Sequence, residues 1–405
     1  MSFFDDLETR SVDQRANDLA EALPAQIANA QKLSGYANAL GNIAASSFQT
    51  IADLAGLPVL RKSDLVHAQS KNGPLEGYSA LKTHEFAHIF QSPGPIYEPG
   101  GVGHDWWRIG RFLNAVGIGG GDIVQNCFGY HLTPAGMIFE NGARAVNAAV
   151  VPAGVGQTEL QVRAASDIGT TAYTGTPDYL KVILDKADEL GVKLGITKAA
   201  VGGGALFPSL RQEYADRGVL CLQNYATADL GNVAYESQAM DGMIVDEGVI
   251  VEIVTPGTGN PVAVGEVGEV VVTTLNRDYP LIRFATGDLS SVMAGQSPCG
   301  RTNMRIKGWM GRADQTTKIK GMFVRPEQVA DLVAKHDEID RARVVAIRDG
   351  EMDAMVVQLE TSARDPTRYE ASVIDSLKLR GRIELVAPGG LPRDGLVIED
   401  QREYD

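Results

Sequence analysis

The sequence predicts an α/β fold: a large N-terminal domain of parallel α/β sheets with an antiparallel β subdomain, followed by a small, mobile α+β domain at the C-terminus. Three observations lead there. From residue 121 strand-length apolar runs alternate with helix-length segments, the signature of βαβ units and a parallel sheet. Residues 248–275 change to short β-branched runs separated by Gly, Pro and Asn, which is hairpin chemistry. Beyond a glycine-bounded stretch at 307–312 the pattern becomes helix, strand, turn, strand, so the expected domains are 1–311 and 312–405.

The elements follow in order. The first ninety residues read as a polar helical apron, with apolar positions at helical spacing over 13–33 and breaks at Pro58 and Pro74. Trp106 and Trp107 fall in a segment, DWWRIGRFLNAVG, that reads as a helix with core or interface aromatics. Next come a strand at 121–128 (GDIVQNCF), a helix at 134–146, a buried strand at 147–154 (NAAVVPAG) and a helix at 158–168. The alternation continues through ITKAAVGGGAL, the helix SLRQEYADRG and the strand VLCLQNYATADLG.

Composition excludes several classes. The 405 residues are 44% hydrophobic and 22% charged, which rules out collagen-like, coiled-coil and disordered chains. A net charge of −14 disfavours phosphate-backbone binding, so no nucleic-acid partner is expected. No apolar run approaches the ~20 residues of a membrane span, and the acidic start of the chain does not read as a signal peptide. Three widely spaced cysteines without a CxxC pair suit a reducing cytoplasm.

Familiar motifs are weak or absent. Gly117, Gly119, Gly120 and Gly121 precede a strand instead of linking a strand to a helix, so they read as a turn and not as a dinucleotide fingerprint. His84 and His88 lack a third ligand and a helical Glu, and no G-x-S-x-G elbow exposes a serine. Four other segments carry more. Tyr225–Gly231 ends an apolar strand with Asp229 where α/β folds place ligand chemistry. Arg283 and the Thr286-Gly287-Asp288 turn offer a carboxylate suited to a pair of hydroxyls, although the same turn is ordinary structural chemistry. Residues 311–327 crowd Arg312, Lys318, Lys320 and Arg325 together with two glycines, Gly311 and Gly321. Gly202-Gly203-Gly204-Ala205 at a strand end lets backbone approach a flat ligand.

In this order the segments resemble the phenylacetate–CoA ligase family, within the AMP-forming acyl-CoA synthetases, over nearly the whole chain. The matching stretches are Tyr225–Asp229, Arg283–Asp288, Gly311–Gly321, Cys299-Gly300-Arg301-Thr302 and Thr174–Leu180. The resemblance implies an enzyme that joins a small aromatic, phenylacetate-like acid to ATP, releases pyrophosphate, and passes the acyl-adenylate to coenzyme A. ATP/AMP, Mg²⁺ and coenzyme A are thus the implied cofactors, and catabolism of aromatic acids in the cytoplasm is the implied setting. Asp288 would hold the ribose diol, with Arg312 at the same nucleotide end. Tyr225 would stack on adenine and Gly203, Gly204 and Ala205 would line its other face. Ala226, Thr227, Lys320 and Gly321 complete the implied nucleotide contacts. Asp229 would hold the Mg²⁺ and share catalysis with Arg312. Tyr130 and His131, with Tyr225 and Ala226, would border the acid, and Asp314 would be the hinge. Oligomeric state stays open, a homodimer among the options.

The sequence departs from the family in three places. Where a phosphate loop is expected stands Phe90–Pro99, whose Ser92-Pro93-Gly94-Pro95 turn loses backbone donors and whose Glu98 adds negative charge. Asp229 replaces a longer acid. Leu396, in Leu391-Pro392-Arg393-Asp394-Gly395-Leu396, stands where the family has its catalytic lysine. These departures keep a second reading open, a nucleotide- or acyl-adenylate-binding accessory protein with weak or no ligase activity.

Overall fold

The computed structural model describes the chain except Met1, Pro93, Gly94, Arg312, Asp314, Thr316, Gly321, Gly350, Glu351, Arg393 and residues 403–405, and the backbone alone of Lys318, Phe323, Asp349 and Met352. Contacts divide it into two compact units, one of residues 1–251, 272–284 and 293–308, the other of 252–271, 285–292 and 309–405.

The first unit opens with α1 (Val12–Ala30), whose Ser11 and Gln14 form a reciprocal capping box. Short α2 (Ala37–Leu40), β1 (Leu60–Arg61) and α3 (Lys62–Asn72) follow. The hairpin β2 (His88–Ser92) and β3 (Ile96–Gly100) occupies the place of the expected phosphate loop, with Phe90 opposite Glu98. The predicted helix through Trp106 and Trp107 is a turn there, and α4 (Gly110–Val116) begins later. Asp105 and Arg108 take left-handed φ values of +48° and +64°, which a helix cannot contain, and the Asp105 carboxylate accepts the Gly110 N–H at 2.9 and 3.0 Å.

The alternation beyond residue 121 is realised as β4 (Ile123–Asn126), α5 (Ala135–Ala145), β5 (Ala149–Val151), α6 (Thr158–Ile168), β6 (Ala172–Gly175), α7 (Pro177–Glu189), β7 (Lys198–Val201), α8 (Pro208–Asp216) and β8 (Leu220–Thr227). The five strands are parallel in the order β5-β4-β6-β7-β8. β9 (Gly231–Glu236) and β10 (Met243–Val245) continue the sheet antiparallel. The run expected to be a buried strand at 147–154 is instead the edge strand β5, with Ala149 exposed and Val150 and Val151 half-buried. A strand's apolar composition does not reveal that one flank has no neighbour. Helices α4 and α5 close a core of Phe112, Leu113, Ile138, Phe139, Val124 and Leu222.

β11 (Val249–Val254), β12 (Val267–Thr274) and β13 (Phe284–Met293) lie side by side, and the chain crosses between the units along them. β14 (Arg305–Ile306) pairs with β10. The second unit then adds the hairpin β15 (Thr317–Ile319) and β16 (Met322–Val324), α9 (Pro326–Ala334), the long antiparallel pair β17 (Ile339–Asp349) and β18 (Met352–Thr361), α10 (Glu370–Leu377), β19 (Arg382–Val386) and β20 (Ile398–Asp400). Its four-stranded sheet has the order β19-β18-β17-β20 and packs Val329, Leu332, Val344, Val357, Tyr369 and Val373 into one core.

Candidate active site

In the first unit the parallel strands end together, and their carboxyl ends are where an open α/β sheet binds ligands. β4 delivers Tyr130 and His131. Asn126, fully buried, donates to the Tyr130 hydroxyl at 2.7 Å and to the Gly136 carbonyl at 2.8 Å, and accepts from Thr174 at 3.0 Å. That network fixes the Tyr130 ring, whose phenol burial and the nearby Glu140 hold well above its usual range. His131 is exposed one residue on.

β7 delivers Gly202 to Ala205. A Cβ on Gly202 would lie 2.4 Å from Asn224 Oδ1, and Gly203 adopts φ +69°, so both positions require glycine. Gly203, Gly204 and Ala205 are exposed, as a surface open to a flat ligand must be. β8 carries Tyr225, whose ring is buried at 8% exposure, and half-buried Ala226 and Thr227. The Thr227 hydroxyl accepts the Leu230 N–H at 3.1 Å and closes the turn that presents Asp229.

Asp229 does not stand alone. Lys62 Nζ lies 2.9 Å from its Oδ2 and 3.8 Å from Glu98 Oε1. Both carboxylates are deeply buried, with side-chain exposures of 3% and 0%, whereas the lysine is 43% exposed. Asp229 Oδ1 and both Glu98 oxygens receive no protein hydrogen bond. Burial, with the Asp229 charge beside it, pushes the Glu98 carboxyl up to about 7 against the opposing pull of Ser92 and Lys62. The buried Tyr279 hydroxyl, also without a partner, feels the charges of both acids, and burial holds its phenol far above the usual range. Glu98 was readable as a charge in the loop; Lys62 was missed. Its one sequence signal is a cation at the first position of a helix, the end where the macrodipole disfavours positive charge by about 0.3–1 kcal/mol. Such a residue calls for an anion elsewhere in the fold.

Arg283 proves structural: only 1% exposed, it takes φ +49° and donates through its guanidinium to the carbonyls of Leu57 and Ala55. The Cys299–Thr302 run is likewise an anchor. Buried Arg301 pairs with Glu8, and the Thr302 hydroxyl donates to the Arg10 carbonyl at 2.7 Å.

In the second unit Asp288 is buried at 8% exposure within β13, after a Gly287 with φ +73°. The Trp309 indole donates to Asp288 Oδ1 at 3.1 Å, and the Thr286 hydroxyl donates to the Val270 carbonyl at 3.0 Å, which locks the turn. Lys320 is exposed at the β15–β16 turn with φ +49°, and its N–H donates to Asp353 at 3.2 Å. Arg312, Asp314 and Gly321 lie outside the described residues. Leu396 is half-buried and lines a cavity of about 400 Å³ beside Val262, Val267, Val329 and Val333. Its segment is pinned by Gln315, which accepts the N–H groups of Val397 and Ile398 at 2.5 and 2.6 Å and donates to the Gly395 carbonyl at 2.9 Å. The expected position of a catalytic cation is thus an uncharged side chain in a mixed lining, where Glu266, Asp340 and Arg341 join the valines.

No profile of a known protein family matches the chain. Among solved structures, a 2-hydroxyisobutyryl-CoA ligase in complex with 2-HIB-AMP and CoA superposes with a TM-score of 0.71 at 23% identity, covering 95% of this chain and 91% of that one. The fold is that of the adenylate-forming CoA ligases. A phenylacetate-coenzyme A ligase from Aromatoleum evansii is 30% identical over 345 residues, 80% of this chain and 77% of the relative. One from Thermus thermophilus is 29% identical over 332 residues, 78% and 74% of the two chains. The chain belongs to the phenylacetate–CoA ligase family, and as such it is an AMP-forming acid–CoA ligase.

Proposed function

We propose that the protein activates a small aromatic carboxylic acid as its acyl-adenylate and transfers the acyl group to coenzyme A. The observation that carries this reading is the rim at the ends of β4, β7 and β8, where a fixed Tyr130, an exposed glycine-rich surface and a buried acid follow one another on rigid strands. In the first half-reaction the acid's carboxylate oxygen attacks the α-phosphorus of ATP and pyrophosphate leaves. In the second, the thiol sulfur of coenzyme A attacks the acyl carbon, AMP leaves with the bonding pair, and the thiol proton passes to solvent.

The residue roles follow the family pattern. Asp288 accepts hydrogen bonds from the ribose diol, its carboxylate already oriented by Trp309. Tyr225, Ala226 and Thr227 face the nucleotide on one side and Gly203, Gly204 and Ala205 on the other, while Tyr130 and His131 border the acid. Arg312, Lys320 and Gly321 add contacts from the C-terminal segment, and Asp314 is the hinge of a small domain spanning 312–405. The residues fit a Mg²⁺ ion, since Asp229 keeps one buried oxygen without a protein donor. When bound, such an ion supplies charge neutralisation for the departing pyrophosphate. Leu396 supplies no charge, so either the adenylation step is slowed or another cation such as Arg393 serves in its place.

Hydroxamate capture of acyl-AMP across a panel of aromatic and short aliphatic acids tests the proposal. Capture with arylacetic or benzoic acids above the aliphatic ones is expected. Nucleotide binding without capture from any acid would favour the adenylate-binding accessory protein, a reading that the uncharged Leu396 keeps open.

A further inference from the structure

Lys62, Glu98 and Asp229 come from three elements far apart in the chain, the start of α3, strand β3 and the turn after β8. Their arrangement is lopsided: two buried carboxylates face one ammonium, which sits within hydrogen-bonding distance of Asp229 and at 3.8 Å from Glu98. A carboxylate with no exposure and no well-formed hydrogen bond on either oxygen, Ser92 alone coming near, is rare, because buried polar groups are nearly always satisfied. Asp229 Oδ1 and the Tyr279 hydroxyl add two more buried oxygens without partners to the same corner. A corner of oxygen donors carrying excess negative charge matches a hard divalent cation. Mg²⁺ in particular is held by one or two carboxylates while keeping several waters.

We infer that Glu98 and Asp229 together form a divalent-cation site in which the Lys62 ammonium is the displaceable occupant. Glu98 thereby acquires a purpose in a hairpin whose prolines have removed phosphate donors: it is the second carboxylate for the ion, not a misplaced charge against the nucleotide. Lys62 suits the role of a leaving counter-ion, since its side chain is 43% exposed and its helix-start position favours departure from the helix end toward solvent. Tyr279 contributes at most a neutral oxygen. The inference rests on the reading of Asp229 as the cation-facing acid and extends it to Glu98 and Lys62.

The test is Mn²⁺ binding to the full chain, followed by electron paramagnetic resonance without nucleotide, acid or coenzyme A. Glu98→Gln should weaken Mn²⁺ affinity at least tenfold, and Lys62→Met should strengthen it at least tenfold. In the double variant the gain should disappear. Equal affinities for Lys62→Met with and without Glu98→Gln, or no binding by a Lys62→Met protein with an unchanged melting curve, would overturn the inference. Because hydroxamate capture is scored separately, an active ligase whose Mn²⁺ affinity ignores Glu98 sinks this site alone. A protein that binds Mn²⁺ as described but captures no acid sinks the ligase reading alone. Should Glu98→Gln fold poorly, Glu98→Asp replaces it, with weakened binding again expected from the shortened reach.

Discussion

Two aspartates anticipated from sequence end up in opposite environments. Asp288 is held by partners within some twenty residues of it, the Trp309 indole on one oxygen 21 positions later and a turn locked by Thr286. Asp229 is governed by residues from elsewhere: Lys62, 167 positions earlier, and Glu98 on β3 of a separate hairpin. A local motif therefore specifies where an acid sits, while the charges that surround it come from tertiary partners that the motif does not contain.

The largest effect expected on that contrast is at Asp288. Asp288→Ala should weaken AMP binding by about 1.5–3 kcal/mol, the usual worth of hydrogen bonds to a charged group. Calorimetric titration measures it, and an unchanged affinity in a folded variant would remove the ribose role. The Trp309 indole should report the same event by fluorescence.

How far the sequence could be read follows the same division. The β4 to β8 alternation was legible because each element writes its periodicity locally, and Gly202 to Ala205 because a glycine run at a strand end has few other uses. Trp106 and Trp107 were misplaced because left-handed backbone at Asp105 and Arg108 interrupts the helical spacing on either side of them. Val150 and Val151 looked buried because sheet order is a global property. Lys62 was invisible as a site residue since nothing near it in sequence names Asp229.

Leu396 sharpens the comparison from the second unit. A cation aimed at charge developing on phosphorus is worth roughly 10²–10³-fold in rate, by analogy with one oxyanion-hole donor. Leu396→Lys should raise acyl-AMP formation at least about tenfold within that range, with the thioester step from supplied acyl-AMP changed little. Rapid-quench assays of each half-reaction check it. Leu396 is half-buried against valines, with Glu266 and Asp340 in the same lining, so a slightly lower melting temperature should accompany the gain.

A smaller effect is expected from Glu98. Its carboxyl holds a proton more tightly when folded, up to about 7, than in the unfolded chain near 4.5. The stabilisation it provides is therefore fully present below pH ~4.5 and is lost as pH rises toward 7. Glu98→Gln carries no such loss, so the melting temperature of the variant should gain on the native protein across that interval and keep a constant lead above it. Scanning calorimetry in metal-free buffers would show it, and parallel curves at all pH values would contradict the buried, poorly partnered carboxylate.

The central claim, ligation through an acyl-adenylate, is tested most directly by product analysis with α-³²P-labelled ATP, Mg²⁺, an arylacetic acid and coenzyme A. Labelled AMP and acyl-CoA appearing in equal amounts, with labelled acyl-AMP accumulating when coenzyme A is left out, is the predicted result. Labelled ADP in place of AMP, or no acid-dependent turnover of ATP at all, would contradict it.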